Sequence, residues 1–396
     1  MMTICSARPA PQSEATCVPS ESATPTTTDS IAADTSPGPA TDFVGPATLD
    51  IAARPVTLPG ALPVGDTDKV DVVTDMAPGG GAVNMAQAYR LAGGTDYRLG
   101  VITGPDHAGR LLMALVAAIL TNVRQFCTAV RTRLSLLTPL DDQARVTRTW
   151  TERCTIDTAE TWAQVEGWLR KGRRLVLASM TAEQTDLVEQ IIAAHNGPVA
   201  MRLTRSQCAD RERTLALAAG CDLVQLNASE LETLSGITGD LVAGINVLRD
   251  HSIHSVIVTA GRRGIYAYFD WAGGWHYVPA FAVGVVSSPS KCGDTVLGTF
   301  FAGLDRGVAA RASLRIAAAA AAMNAAGLPH RGGWDELAGF AQQTAMVPFA
   351  PTPVSRRRVN RQQITPTARR WLVPAGYLTG GAALVLMALR IVQFMA

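Results

Sequence analysis

The stretch PGGGAVN at residues 78–84 places three consecutive glycines directly before a segment, 84–91, with the helical spacing of apolar residues. Glycines let a ligand approach the backbone closely, and the first turn of a helix offers N–H groups without partners inside the helix. The amide of Asn84 can hydrogen-bond a hydroxyl group. The stretch therefore predicts a site for a hydroxyl-bearing ligand; the structural alternative is a glycine turn followed by an Asn cap.

A second stretch, KCGDT at residues 291–295, leads into another predicted helix, 294–304. Consecutive backbone N–H groups at the start of a helix bind anions, and the helix dipole keeps a carboxylate at this position ionised. Asp294 therefore has the properties of a general base at neutral pH. The structural alternative is that Asp294 only caps the helix.

Short apolar runs alternate with amphipathic segments between residues 43 and 348, a pattern that predicts βα units around a largely parallel sheet. Strand-like runs are residues 97–103, 174–179, 199–203, 222–226 and 255–259, and helical segments include 182–194 and 211–219. The motifs NASE (227–230) and TAGRRG (259–264) each follow one of these strands. Because open α/β sheets bind ligands at the C-terminal ends of their strands, both motifs are candidate binding loops.

These elements, in this order, resemble the ribokinase (PfkB carbohydrate kinase) family over residues 43 to about 340. The resemblance rests on an opening strand 43–51 with Asp50, the GGxxxN element at 79–84, TGPDHAG at 103–109, NxxE at 227–230, TxGxxG at 259–264 and the Gly-Asp pair at 293–294. It implies a ribokinase-like three-layer α/β/α sandwich with a mostly parallel central sheet. It also implies a small β lid around residues 56–75.

The same resemblance implies an ATP-dependent kinase that moves the γ-phosphoryl group to a hydroxyl of a sugar or sugar-like substrate, with a nucleoside kinase as the alternative. Asp294 would be the general base, and the N–H groups of Cys292 and Gly293 would stabilise the transferred group. The remaining expected contacts are Asp50, Gly79, Gly80 and Asn84 to the sugar, Thr259, Gly261 and Gly264 to ATP, and Asn227 and Glu230, indirectly, to Mg²⁺.

The signature before Asp294 departs from the family pattern. The family usually has DTxGAGD, whereas this chain has SPSKCGD at residues 288–294. The missing first Asp puts the monovalent-cation site of many relatives in doubt. Lys291 replaces a small residue, so it either crowds the phosphate or adds positive charge beside it. The alternative function is a membrane-anchored binding protein with weakened catalysis.

The composition excludes several other classes of protein. The 396-residue chain has a net charge of +2 and no block of basic residues beside aromatic ones, so nucleic-acid binding is not expected. Its seven cysteines lack the spacing of zinc ligands or of a disulfide framework. There is no Walker A sequence, and no GxGxxG follows residues 43–51 as a dinucleotide-binding dehydrogenase would need.

The two ends of the chain differ from its middle. Residues 1–42 are rich in Pro, Ser, Thr and Ala, which predicts a disordered arm, and they lack the pattern of a secretory signal. Residues 349–370 form an Arg-rich linker before an uncharged apolar run, 371–389, within the final segment 371–396. A helix over that run would span about 28 Å, so we expect a single-pass C-terminal membrane anchor, with a buried core helix as the alternative.

The charge around this run predicts its orientation. The arginines before it place the kinase domain in the cytoplasm by the positive-inside rule. Gly376 and Gly380 have the GxxxG spacing that permits close packing of two membrane helices, and hence a homodimer.

Overall fold

A nine-stranded sheet lies at the centre of the protein in the computed structural model, which describes residues 40–55, 72–139, 146–150, 155–284, 286, 291–328, 330 and 332–347. The order of its strands is β13-β12-β11-β10-β9-β8-β1-β4-β5, and only β12 runs opposite to the others. The strands are β1 (Thr41–Pro46), β4 (Tyr97–Ile102), β5 (Val123–Phe126), β8 (Arg174–Ala178), β9 (Val199–Arg202), β10 (Leu223–Asn227), β11 (Ser255–Thr259), β12 (Ile265–Phe269) and β13 (Gly274–Val278).

A second sheet of four strands, in the order β3-β2-β6-β7, contains the remaining described strands. They are β2 (Thr48–Pro55), β3 (Val72–Gly79), β6 (Arg133–Pro139) and β7 (Val146–Trp150). Strand β2 pairs antiparallel to β3 and parallel to β6, and β6 pairs antiparallel to β7. This is the smaller sheet that the resemblance predicts. Of the expected lid, residues 56–71 lie outside the described part of the chain.

Helices cover both faces of the large sheet. They are α1 (Gly81–Leu91), α2 (His107–Ile119), α3 (Thr158–Glu166), α4 (Thr185–Ala194), α5 (Arg205–Cys208), α6 (Arg211–Ala219), α7 (Ala228–Ser235), α8 (Leu241–Asp250), α9 (Cys292–Asp305), α10 (Ala310–Ala325) and α11 (Gly333–Gln343). Successive strand residues point to opposite faces, so Phe43 packs in the core with α1, α9 and α10, and Val44 in the core with α4, α7 and α8. The predicted three-layer α/β/α architecture is confirmed.

The prediction of one opening strand over residues 43–51 is wrong. These residues belong to two strands, β1 in the large sheet and β2 in the small sheet, with only Ala47 between them. Ala47 still donates its N–H to the carbonyl of Ile102 beside β1, at 3.1 Å. Pro46 has no N–H to donate to a sheet, which favours the end of β1 at this residue.

The N-terminal boundary of the domain also needs correction. Asp42, which we assigned to the disordered arm, lies inside β1 and is fully buried. Its carboxylate accepts hydrogen bonds from Arg98 and Arg173. Residues 1–39 lie outside the described residues.

Within the described ranges, no helix is both long and apolar enough to cross a bilayer. The predicted anchor, residues 371–389, and the Arg-rich linker before it lie outside those ranges.

Candidate active site

A cavity of about 1510 Å³ opens at the C-terminal edge of the large sheet. It is lined by residues at or just after four parallel strands: Ser179, Arg202, Asn227 and Thr259. A pocket for one drug-sized ligand has a volume of roughly 300–1000 Å³, so this cavity has room for two small molecules together. Most of the site residues predicted from the sequence line it: Gly80, Asn84, Asn227, Thr259, Gly261, Gly264, Lys291, Cys292, Gly293 and Asp294.

The glycine turn at residues 79–81 has the close contacts that its sequence suggests. Gly80 is the N-cap of α1 with φ of 99° and ψ of 145°, and a Cβ on it would lie 2.6 Å from the carbonyl oxygen of Pro46. Only glycine adopts this conformation readily. The N–H of Gly81 donates to the hydroxyl of Ser179 at 2.7 Å. Asn84 lies inside α1, so the alternative in which it caps the helix is wrong.

Asp294 lies in the first turn of α9 and is 7% exposed. Its Oδ2 accepts a hydrogen bond from Asn84 Nδ2 at 2.8 Å, and its Oδ1 lies 2.8 Å from Arg202 Nε. The N-cap of α9 is Lys291, with φ of 70°, and not Asp294. The capping alternative is therefore wrong, because the carboxylate contacts side chains across the cavity instead of the N–H groups of its own helix.

Cys292 and Gly293 form the first turn of α9 before Asp294. Burial raises the pKa of the Cys292 thiol, so the neutral form is favoured. Asn324 Nδ2 donates to its sulfur at 3.4 Å. The thiol is thus held against α10, and the chemistry available to the cavity at this position is that of the backbone N–H groups.

The loop after β11 forms another wall of the cavity. Gly261 and Gly264 have φ values of 57° and 84°, and a Cβ on Gly264 would lie 2.2 Å from the carbonyl oxygen of Val278. Glycine is therefore required at 264 by both conformation and space. Together with Thr259 these residues present backbone groups at the end of a parallel strand, where open α/β sheets bind ligands.

Asn227 and Glu230 form a capping box at the start of α7. The Asn227 side chain accepts from the Glu230 N–H at 2.9 Å, and the Glu230 carboxylate accepts from the Asn227 N–H at 2.8 Å. Glu230 lies behind the cavity wall and is 6% exposed. Burial raises the pKa of its carboxyl, whereas the charge of Arg202 opposes that rise.

Asp50, which lies beside the turn, and Gly79, its first residue, do not line the cavity. The carboxylate of Asp50 lies directly behind Gly79, where an added Cβ would meet Oδ2 at 2.4 Å. Lys291 Nζ is 3.8 Å from Asp50 Oδ2 and donates to the carbonyl of Pro78 at 3.3 Å. Lys291 therefore extends toward the small sheet and the glycine turn.

Sequence reasoning missed polar residues of this region, of which Arg202 and Gln225 lie nearest to Asp294 and Gly293. Arg202 ends β9 and contacts Asp294, and Gln225 lies in β10 with its Nε2 3.1 Å from the position of a Cβ on Gly293. The position of Arg202 near the C-terminal end of the predicted strand 199–203 was the available signal, because ligands bind at such strand ends. Gln225 gave no comparable signal, since it lies within an otherwise apolar strand.

The sequence from residue 64 to residue 327 matches the profile of the pfkB family carbohydrate kinases. The chain belongs to this family. The match includes the glycine turn, the loop after β11 and the first turn of α9, and it starts after β1 and β2. A search of curated proteins finds no match.

Solved structures of ribokinases and of phosphofructokinase-2 have the same fold as this PfkB domain. The ribokinase of Thermotoga maritima is 18% identical with a TM-score of 0.59, over 77% of this chain and 99% of that chain. Phosphofructokinase-2 of Escherichia coli, in complex with substrates and products, is 18% identical with a TM-score of 0.60, over 76% and 97%. The Arabidopsis thaliana ribokinase complexed with ribose and ATP is 19% identical with a TM-score of 0.55, over 77% and 99%.

Proposed function

We propose that this PfkB protein is an ATP-dependent kinase that phosphorylates a hydroxyl of a sugar or sugar-like substrate, with Asp294 as the general base. The observation that carries the proposal is the position of Asp294 in the first turn of α9. Its carboxylate is buried at a cavity with room for two molecules, next to the N–H groups of Cys292 and Gly293. A base and an anion site in this arrangement suit phosphoryl transfer, which depends mainly on positioning and electrostatics.

The acceptor would lie against the glycine turn and α1. Asn84 donates through Nδ2 to Asp294, but its buried Oδ1 has no hydrogen-bond partner within the described part of the chain. A buried amide oxygen without a partner costs free energy, and one hydroxyl of the acceptor would satisfy it by donating its proton. A neighbouring hydroxyl of the same acceptor would then lie beside Asp294, the carboxylate that takes its proton.

ATP would bind along the loop after β11, with its γ-phosphoryl group toward Gly293. Mg²⁺, when bound, would neutralise charge on the phosphates. The described residues contain no cluster of three acidic, histidine or cysteine side chains that could hold a metal by themselves. Asn227 Oδ1 and Glu230 Oε2 are engaged in the capping box, which fits an indirect contact to a hydrated ion held mainly by the nucleotide.

A thermal-shift screen followed by an assay of phosphoryl transfer tests the proposal. Sugars, sugar phosphates, nucleosides and ATP–Mg²⁺ would be added to the full chain, because any ligand of the native state raises its Tm. Each stabilising acceptor would then be incubated with radiolabelled ATP. Stabilisation by ATP–Mg²⁺ together with labelled product supports the kinase. Binding of both ligands without product supports the weakened binding protein, and a nucleoside as the sole acceptor supports a nucleoside kinase.

Replacement of Lys291 by alanine is expected to change binding of the acceptor rather than of ATP. The ammonium lies at Asp50 and Pro78, so an acceptor that uses Asp50 has to displace it. We expect the KM of the acceptor to fall by about five- to tenfold, the effect of roughly 1–1.4 kcal/mol from one charged contact, with the KM of ATP unchanged. Steady-state kinetics measure both constants.

The exposed Lys171 provides the matched control, and its replacement by alanine should change neither constant. A rise in the KM of ATP in Lys291→Ala would contradict this interpretation. Such a rise would show that the ammonium of Lys291 contacts the phosphates of ATP instead.

We also propose that residues 371–389 anchor the protein in a membrane with the kinase domain on the cytoplasmic side. The support is the length and apolarity of the run and the six arginines within residues 356–370. The full-length protein should remain in membranes after alkaline carbonate washing, whereas a chain ending at Val354 should be released. Release of the full-length protein by carbonate would show that the anchor is wrong.

A further inference from the structure

The side chain of Arg202 contacts the candidate base and lies close to the candidate phosphate site. Its Nε lies 2.8 Å from Asp294 Oδ1, and its Nη1 donates to the carbonyl of Leu203 at 3.4 Å. Its Nη2 lies 3.8 Å from the position of a Cβ on Gly293. Because guanidinium nitrogens form a rigid planar fork, these contacts fix the group between the carboxylate and the N-terminus of α9.

Hydrogen-bond donors lie around the position that a Cβ on Gly293 would occupy. Besides Arg202, the Nε2 of Gln225 lies 3.1 Å and the Oγ1 of Thr259 lies 3.8 Å from the same point. Gln225 is 1% exposed, and its Oε1 has no hydrogen-bond partner in the part of the chain that the structure describes. The donors and the helix N-terminus together suit a group with several anionic oxygens.

We propose that Arg202 is a catalytic residue of this enzyme, which binds the phosphoryl group during its transfer; this inference rests on the proposed kinase function. In the transfer step a bond forms between the acceptor oxygen and the γ-phosphorus. The bond from the γ-phosphorus to the bridging oxygen breaks, and its electron pair leaves with ADP. The proton of the acceptor hydroxyl passes to Asp294. Arg202 keeps its protons throughout and stabilises the negative charge on the three oxygens in transit.

The ion pair between Arg202 and Asp294 forms before the phosphoryl group binds. In the absence of ligands the guanidinium neutralises the buried carboxylate, and both contacting atoms, Arg202 Nε and Asp294 Oδ1, are inaccessible to solvent. When the phosphoryl group arrives at Gly293, the guanidinium has a second anion within reach of Nη2. Arg202 then bridges the base and the transferred group.

A purely structural role for Arg202 makes a different prediction. If the guanidinium only held Asp294 in place, its loss would affect turnover but not the binding of a mimic of the phosphoryl group. Aluminium fluoride is such a mimic, since it binds beside ADP–Mg²⁺ with the geometry of a phosphoryl group in transit. The added affinity that aluminium fluoride gives to ADP–Mg²⁺ therefore reports on the phosphate contact independently of turnover.

The test compares the full chain with Arg202→Met, Arg202→Lys and the control Arg213→Met. Arg213 is a matched control, because it pairs with Asp186 and Glu189 on the outer surface of the helical layer. The Kd of ADP–Mg²⁺ would be measured by calorimetry with and without aluminium fluoride. Removal of a group that acts in the transition state costs about 10²–10³-fold, so we expect Arg202→Met to lose most of the added affinity and a similar factor in kcat. The Kd of ADP–Mg²⁺ alone should change by less than about threefold, because that contact is absent from the ground state.

Each outcome decides between the proposals. If aluminium fluoride tightens ADP–Mg²⁺ equally in the wild type and in Arg202→Met, the inference is wrong and the kinase function stands. If the wild type binds no nucleotide, the proposed function and the inference are both wrong. Arg202→Met leaves Asp294 without its cation and can fail to fold. Arg202→Lys keeps the charge but not the fork, so a loss of the added affinity there supports the inference and full retention contradicts it.

Discussion

Replacement of Asp294 by asparagine is expected to lower kcat by about 10²–10⁴-fold, the usual effect of losing one positioned general base. The asparagine has the shape of the aspartate but cannot take the proton of the acceptor. Its Oδ1 can remain beside Arg202 Nε, which lies 2.8 Å from Oδ1 of the aspartate, and a flip of the Asn84 amide would present the Asn84 Oδ1, which has no partner within the described residues, to the new amide. The fold and the binding of ATP–Mg²⁺ should therefore persist.

Steady-state kinetics, a thermal melt and calorimetry with ATP–Mg²⁺ would measure these three properties. Asp270→Asn is the matched control, because the side chain of Asp270 is half-exposed and pairs with His254. Turnover of Asp294→Asn within about tenfold of the wild type would remove Asp294 from the role of base. It would then favour water or another group as the proton acceptor.

Replacement of Gly298 by alanine is expected to destabilise the protein by about 3 kcal/mol, the upper end of the cost of overpacking a core. Gly298 lies in α9 where this helix crosses α1, and a Cβ there would lie 2.2 Å from the carbonyl oxygen of Met85 and 3.0 Å from Ala88 Cβ. The backbone of α1 cannot move aside as a flexible side chain would. The two helices must separate, and the contact between Asn84 and Asp294 spans the same pair of helices.

The same substitution at Gly339 should have the opposite sign. Gly339 lies in α11, and a Cβ on it would meet no atom within 4 Å. Alanine is favoured over glycine in a helix by about 0.5–1 kcal/mol, so Gly339→Ala should stabilise the protein slightly. Urea denaturation of both variants gives the two free energies of unfolding. Equal stability of Gly298→Ala and the wild type would show that α1 and α9 are less tightly packed than the structure has them.

The architecture could be predicted because each predicted strand or helix is marked in the sequence by its own apolar run or amphipathic spacing. The apolar strand 255–259 was predicted with the observed bounds, and 174–179 was one residue too long. The candidate site followed from the rule that strand ends meet at one edge of a parallel sheet, which brings Asn227 and Thr259 to the same cavity although 32 residues separate them.

What sequence reasoning could not predict depends on contacts between distant segments. The family resemblance predicts one strand over residues 43–51, but it does not say that the chain changes sheets at Ala47. Similarly, an arginine at the end of a strand is usually solvated, and nothing local indicates that Arg202 reaches Asp294, 92 residues further along the chain. The direction of Lys291 was undecided for the same reason, since Asp50 belongs to the other sheet.

The pairing of both buried acids with cations of the same chain affects how the protein folds. Asp50 and Asp294 have side chains that are 3% and 10% exposed, and an ionised carboxylate buried to that degree is costly unless it is paired. Lys291 and Arg202 provide the opposite charges from within the polypeptide. Folding of the domain therefore does not wait for ATP or an acceptor to balance these carboxylates, and a newly made chain reaches the arrangement of its cavity before either substrate binds.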